Sequence, residues 1–270
     1  MTTSAVDVQD LERRVKDVYR QVAVQPERTY HFDMGRPLAE RLGYPSDLLD
    51  QVPAPALASF AGVGYYLDLA APTPGERAVD LGSGSGTDCF AIAHLVGADG
   101  HVTGVDMTDE QLAKAERLRL AAGRQNITFV RGYIQDPPLA EESVDLVVSN
   151  GVVNLAPDKS AVFRAAARLL APGGRLALAD IVSERPLTES ITCNAELWAS
   201  CIGGATQVDT YLAAIEEAGL NVGKVHDNAA YGFLSESAQG ATRTYGIKSI
   251  SLLAVKPGYP RVRGSRPAGR

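Results

Sequence analysis

Three glycines and two aspartates carry the first chemical signal in this sequence of 270 residues. In Val79-Asp-Leu-Gly-Ser-Gly-Ser-Gly-Thr-Asp88, Gly82, Gly84 and Gly86 alternate with Ser83 and Ser85 where a strand pattern gives way to a helix pattern. Glycines there permit a tight turn and let the backbone approach a ligand closely. Asp80, near the loop's start, sets an anion that repels a diphosphate and welcomes a cationic amino-acid moiety. Asp106 lies 26 residues further on, at the end of the next strand, in Gly-Val-Asp106-Met107. A carboxylate at that place can accept hydrogen bonds from both hydroxyls of a ribose. A dinucleotide fingerprint needs its third small residue at position 87, and Thr87 stands there instead. The arrangement favours S-adenosylmethionine over a nicotinamide dinucleotide.

The second group of chemically capable residues is the set of thiols, Cys89, Cys193 and Cys201. An odd and small number of cysteines is no disulfide scaffold and points to a reducing cytoplasm. Cys89 opens the helix after the glycine loop, where the positive end of the helix dipole lowers a thiol pKa. The same spot also suits simple core packing, since cysteine is among the most buried residue types. His31, His94, His101 and His226 show no metal-ligand spacing with one another or with a cysteine, so no resident metal is expected.

Alternating elements must hold these residues. Strands are expected at Arg77–Leu81, His101–Val105, Ile127–Val130, Val144–Val148 and Arg175–Ala179. Helices are expected at Asp88–Val96, Glu110–Ala122 and Lys159–Leu170. Short apolar runs separated by helices read as a parallel sheet covered on both faces, a doubly wound α/β fold of Rossmann-like type. Residues 1–70 read as a helical lid, with helices near Val8–Ala23, at Pro37–Leu42 and after Ser46 as N-cap. Residues 71–182 form the cofactor-binding domain, and 183–256 a smaller α+β segment on the substrate side, with a helix at Val208–Ala218 and a strand at Lys248–Val255. Residues 257–270, rich in Pro, Gly and Arg, cannot pack a core and read as a disordered basic tail.

Composition bounds the rest. A hydrophobic share of 45% supplies a sizeable core, and a net charge of −6 argues against nucleic acid as a partner. No apolar run approaches the roughly 18 residues of a membrane span, and the N-terminus lacks a signal-peptide core. A cytoplasmic protein with a small-molecule substrate is expected. Nothing in the sequence speaks to oligomeric state.

On the motifs Asp80-Leu-Gly-Ser-Gly-Ser-Gly-Thr-Asp-Cys89 and Gly100-His-Val-Thr-Gly-Val-Asp-Met-Thr108, the sequence resembles the class I S-adenosylmethionine-dependent methyltransferases. Gly132-Tyr-Ile-Gln135, Val148-Ser-Asn-Gly-Val-Val-Asn-Leu-Ala-Pro-Asp-Lys159 and Glu196-Leu-Trp-Ala-Ser-Cys-Ile-Gly-Gly-Ala205 narrow the resemblance to the arsenite methyltransferases and their bacterial relatives. The resemblance implies that Gly82, Ser83, Gly84 and Gly86 line the methionine part, with Asp80 near its amino group. It implies that Asp106 holds the ribose, Met107 packs on the adenine, and Ile134 and Gln135 close the adenine pocket. Asn150 and Gly151 would stand at the reacting face. The family places thiols after the first and fourth strands and in the Trp-x-x-Cys segment. Cys89 and Cys201 match two of those places, and Gly151 stands at the third.

Thiolates select soft centres such as trivalent arsenic. Two suffice for methylarsenite, which keeps one As–C bond, so methylarsenite is expected in preference to arsenite, with Cys89 and Cys201 as ligands and Cys193 as a substitute third. The substrate pocket is expected to include Tyr30, His31, Gly151, Cys193 and Trp198, with Tyr19 nearby. One alternative is a methyltransferase of the same lineage acting on a small organic acceptor at carbon, oxygen or nitrogen. Another, of a different class, is a metalloid-binding protein without turnover.

Overall fold

A computed structural model describes residues 7–193, 198, 202–234 and 236–258. Helix α1 (Val8–Val24) starts where the Asp7 side chain accepts hydrogen bonds from the backbone N–H groups of Gln9 and Asp10. Its Leu11, Val15, Val22 and Ala23 recur on one helical face and are buried. Short helices α2 (Gly35–Leu42), α3 (Ser46–Leu49), α4 (Ala54–Leu57) and α5 (Leu67–Ala70) follow. Ser46 is not the cap expected of it: Pro45 takes that place, its fixed backbone leading into the turn, and Ser46 is the first helical residue.

The alternating part follows in chain order as β1 (Arg77–Leu81), α6 (Thr87–Val96), β2 (His101–Asp106), α7 (Asp109–Ala121), β3 (Ile127–Arg131), β4 (Val144–Asn150), α8 (Lys159–Leu169) and β5 (Leu170–Ser183). The doubly wound expectation holds. Strands β1 to β5 pair in parallel in the order β3-β2-β1-β4-β5, so the chain reverses direction of winding between β1 and β4.

The remaining elements are α9 (Glu189–Thr192), β6 (Thr206–Gln207), α10 (Val208–Glu217), β7 (Asn221–Asp227), α11 (Glu236–Tyr245) and β8 (Lys248–Val255). Strand β8 adds antiparallel to β5, and β7 antiparallel to β8, so the C-terminal segment extends the same sheet.

Alternation along the strands splits the core in two. In β5, Ala177, Ala179 and Ile181 face the layer that holds α6 and the N-terminal helices. Leu176, Leu178 and Val182 face α8 and α10, where Phe163 and Tyr211 meet edge to face at 5.0 Å. Val79 and Leu81 of β1 belong to the second layer, and Ala78 to the first. Burial of both faces is what the continuous apolar runs demanded. No helix among the described residues is long and apolar enough to cross a membrane.

Candidate active site

The glycine loop sits at the carboxyl end of β1, beside the winding reversal where open α/β sheets bind ligands. The backbone N–H groups of Gly82 and Ser83 both donate to Val105 O, at 2.8 and 3.1 Å, which folds the loop back over β2. Gly82 has φ of +82°, and a Cβ there would lie 2.5 Å from Val152 Cγ2, so no larger residue fits without displacing the segment after β4. Asp106 closes β2. One of its carboxylate oxygens accepts from Gly84 N at 2.9 Å and the other from Thr108 N at 2.8 Å. The carboxylate is thereby oriented, with lone pairs left for a ligand. Burial pushes its pKa up, against the opposing pull of the backbone N–H groups of Thr108 and Gly84.

These residues line one cavity of about 180 Å³. Asp80, Gly82, Ser83, Gly84, Asp106, Met107, Ile134, Gln135 and Asn150 all contribute to its wall. Helix α1 covers it with Leu11, Val15 and Tyr19. Two polar features of the wall call for a ligand. The buried Ser83 Oγ has no hydrogen-bond partner. Asp80 is buried, and the Cys89 thiol 3.4 Å away is a weak donor. Burial and the charge of Asp88 hold the Asp80 carboxyl well above the usual range. A ligand bringing an ammonium and a hydroxyl-bearing ribose would satisfy both, so the residues fit S-adenosylmethionine.

A network that spacing did not reveal stands behind Asn150. Asp88 accepts from Tyr44 Oη at 2.7 Å, Tyr66 Oη at 2.9 Å and Asn150 Nδ2 at 3.3 Å. Asn150 Nδ2 also donates to Gly64 O, and its Oδ1 accepts from Val63 N at 2.8 Å. Asp88 lies within the glycine motif and on the cavity wall. Its position, in the first turn of a helix behind a glycine loop, was the one available signal.

The lid is fastened by the Tyr133 hydroxyl, bonded to Glu12 and Lys16 of α1, and through its own backbone. Gln111 Oε1 accepts from Ser85 Oγ at 2.6 Å, and Gln111 Nε2 donates to Tyr19 O at 2.8 Å. Lys114 Nζ donates to Ala23 O and to Ser59 Oγ, and Ser59 Oγ donates to Val22 O. A single side chain, Gln111, thus ties the glycine loop to α1.

The residues expected on the acceptor side are less gathered. Cys89 is fully buried and turned to Asp80, outside the cavity lining. Burial, then the negative charge of Asp80, pushes its thiol well up, opposite to the lowering expected from the helix dipole. Tyr30 and His31 are also outside the lining. Tyr30 donates to Gln25 O at 2.9 Å and stacks on Phe32, and His31 meets the Phe32 edge at 4.6 Å. Tyr19 does reach the wall.

Gly151 has φ of +71°, and a Cβ there would meet Val63 Cγ1 at 3.0 Å. Cys193 caps α9, its N–H on Glu189 O. Trp198 is buried, donating to Thr192 O at 2.7 Å, with Lys159 Nζ 4.8 Å from its ring centre. Cys201 lies outside the described residues, as does the expected tail from residue 259 on.

Residues 72–219 match the family model described as a methyltransferase domain. An arsenite methyltransferase of Halobacterium salinarum is 43% identical over 182 residues, covering 67% of this chain and 46% of that protein. The human arsenite methyltransferase is 43% identical over 136 residues, covering 47% of this chain and 36% of that protein. The chain therefore spans about half the length, or less, of these curated relatives. Among solved structures, an arsenic(III) S-adenosylmethionine methyltransferase from Chlamydomonas reinhardtii superposes with a TM-score of 0.61 at 27% identity, over 85% of this chain and 76% of that one. A geranyl diphosphate methyltransferase bound to sinefungin shares the fold at a TM-score of 0.64 and 19% identity, over 92% and 99% of the two chains.

Proposed function

The chain belongs to the methyltransferase-domain family of S-adenosylmethionine-dependent enzymes, and on that premise we propose that it transfers a methyl group to trivalent arsenic, methylarsenite in preference to arsenite. The observation that carries methyl transfer is the cavity at the carboxyl ends of β1, β2 and β4, walled by the glycine loop, Asp80, Asp106 and Asn150. Identity of 43% to arsenite methyltransferases supports the acceptor.

S-adenosylmethionine supplies, when bound, a methyl group already activated on a sulfonium. The work left to the chain is alignment and exclusion of water. We assign Asp80 and the loop residues Gly82, Ser83, Gly84 and Gly86 to the methionine part. Asp106 is assigned to the ribose, and Met107, Ile134 and Gln135 to the adenine. Asn150, held by Val63 N–H, is assigned to the reacting face. Leu11, Val15 and Tyr19 of α1 shield that face from solvent. A soft nucleophile carries its own lone pair and needs no general base.

For the acceptor we assign Cys201 and Cys193 as the capturing thiols, with Trp198, whose ring N–H donates to Thr192 O, on the same segment. Cys89 is left out of this pair because a thiol buried beside Asp80 stays protonated, and the thiolate is the ligand form. Gly151 offers no thiol, which favours a substrate that already carries one As–C bond. Cys89 favours a second reading, a small organic acceptor, because its burial removes one of the two thiols that match the family.

The test is turnover with S-adenosylmethionine, glutathione and either arsenite or methylarsenite, following S-adenosylhomocysteine and arsenic speciation together. Dimethylated product from methylarsenite alone, lost in Cys201→Ser, is expected. Cofactor binding with no methylated arsenic from either substrate would overturn the arsenic assignment and leave the organic acceptor.

A further inference from the structure

Asp88 is a buried carboxylate on the wall of the cavity, 5% exposed, in the first turn of α6. An acid in that turn is ordinarily explained by the helix dipole. Here the side chain's hydrogen bonds run to residues outside the helix. Its three donors are Tyr44, Tyr66 and Asn150, which come from three separate parts of the chain. All three are neutral. They fix the carboxylate and favour its ionised form without cancelling its charge.

Its acidic neighbours on the cavity wall are Asp80 and Asp106. Among the described residues no Lys or Arg forms an ion pair with any of the three. Burial pushes both the Asp80 and the Asp88 carboxyl up, Asp80 the more, because Asp80 has only a thiol to oppose its burial while Asp88 has three donors. A cavity walled by three buried carboxyls without a counter-ion, Asp80, Asp88 and Asp106, is built for a cationic ligand. The unpartnered Ser83 Oγ on the same wall points to a ligand independently.

We propose that Asp88 distinguishes the charged methyl donor from its neutral product. The inference rests on S-adenosylmethionine as the ligand of this cavity. In the transfer, the acceptor's lone pair forms the new bond to the methyl carbon. The S–C bond breaks with its electron pair kept on sulfur, so the sulfonium becomes a neutral thioether and the positive charge leaves with the acceptor. The ammonium and the carboxylate of the amino-acid part are unchanged. A carboxylate serving the ammonium, as Asp80 does, holds donor and product equally. One beside Asn150 at the reacting face attracts the donor and loses that attraction once the methyl has left.

The experiment is calorimetric titration in the absence of any acceptor. Its ligands are S-adenosylmethionine, S-adenosylhomocysteine and sinefungin, which carries an amine-bearing carbon in place of the sulfonium. The native chain is expected to bind the two cationic ligands more tightly than S-adenosylhomocysteine. Asp88→Asn is expected to weaken both by about tenfold or more and S-adenosylhomocysteine by less than about threefold. Asp80→Asn should weaken all three alike. Tyr66→Phe keeps the carboxylate and should preserve the native order, which serves as the check if Asp88→Asn does not fold. Equal losses for all three ligands in Asp88→Asn would overturn the proposal. So would a native chain that holds S-adenosylhomocysteine as tightly as the donor. A native chain that binds none of the three overturns the cofactor assignment instead.

Discussion

The wall assigned to the cofactor and the wall left for an acceptor are built from different materials. On the first, the groups that matter are backbone amides and carboxylates pinned by backbone amides, as in the bonds from Gly84 and Thr108 to Asp106. On the second they are side chains carried by α1 and by the 59–62 and 150–157 segments, with Leu11, Val15, Tyr19, Phe60 and Val152 on the cavity. A site made of backbone constrains residue type severely, because only glycine tolerates some of its torsions and approaches. A site made of side chains on helices tolerates any residue of suitable size. The first wall therefore announces itself in a sequence, and the second does not.

Gly82→Ala is the hardest blow to the first wall. The left-handed torsion costs about 1–2 kcal/mol, and displacing Val152 adds roughly 1–3 kcal/mol. Cofactor affinity should fall about a hundredfold or more by titration, with a clear drop in melting temperature. Full affinity in this variant would break the comparison outright.

Asp106→Ala comes next. Loss of a charged acceptor for two backbone amides and a ribose is worth about 1.5–3 kcal/mol, read as roughly a ten- to hundredfold rise in Kd. The effect should be the same with every acceptor.

The pH dependence of stability probes the layer behind the acceptor wall. Burial lowers the Lys159 amine from 10.5 to about 8, while its Nζ bonds Ala156 O and lies over Trp198. Between those values the folded chain binds fewer protons than the unfolded one, so its stability rises with pH there. The cost is fully present below about pH 8. Urea unfolding across this range should show the native chain gaining on Lys159→Met by on the order of 1–3 kcal/mol. Parallel curves would remove Lys159 from that layer.

Gln111→Ala should cost about 1 kcal/mol and speed hydrogen exchange in α1 while leaving β2 protected. Cys89→Ser is the smallest change expected, with cofactor affinity within about twofold, because serine keeps a donor toward Asp80. A large loss of arsenic methylation in that variant would return Cys89 to the acceptor wall.

The same division explains what the sequence disclosed. The apolar runs of β1, β2 and β4, and the glycine loop joined to Asp106, were legible because each rests on a local pattern. Asp88 was visible, but its partners Tyr44 and Tyr66 lie 44 and 22 residues away, and no periodicity links them. β7 escaped notice because Asn221–Asp227 is an exposed edge strand with little apolar alternation. β5 begins earlier than expected, at Leu170. Ala171-Pro-Gly-Gly174 reads as a turn but pairs beside β4 across a register shift. The Cys89 thiol misled for an electrostatic reason. A helix dipole argues for a low pKa, and burial first, then the negative charge of Asp80, overrule it.

Gln111, Lys114 and Ser59 hold α1 by the carbonyl oxygens of Tyr19, Ala23 and Val22, not by its side chains. Such a grip is blind to which residues α1 carries. Over generations the face turned to the cavity can vary in residue type, so long as its size is kept, while these three bonds hold the helix. One fixed donor machinery can in this way be handed from one methyl acceptor to another, a short run of mutations at a time.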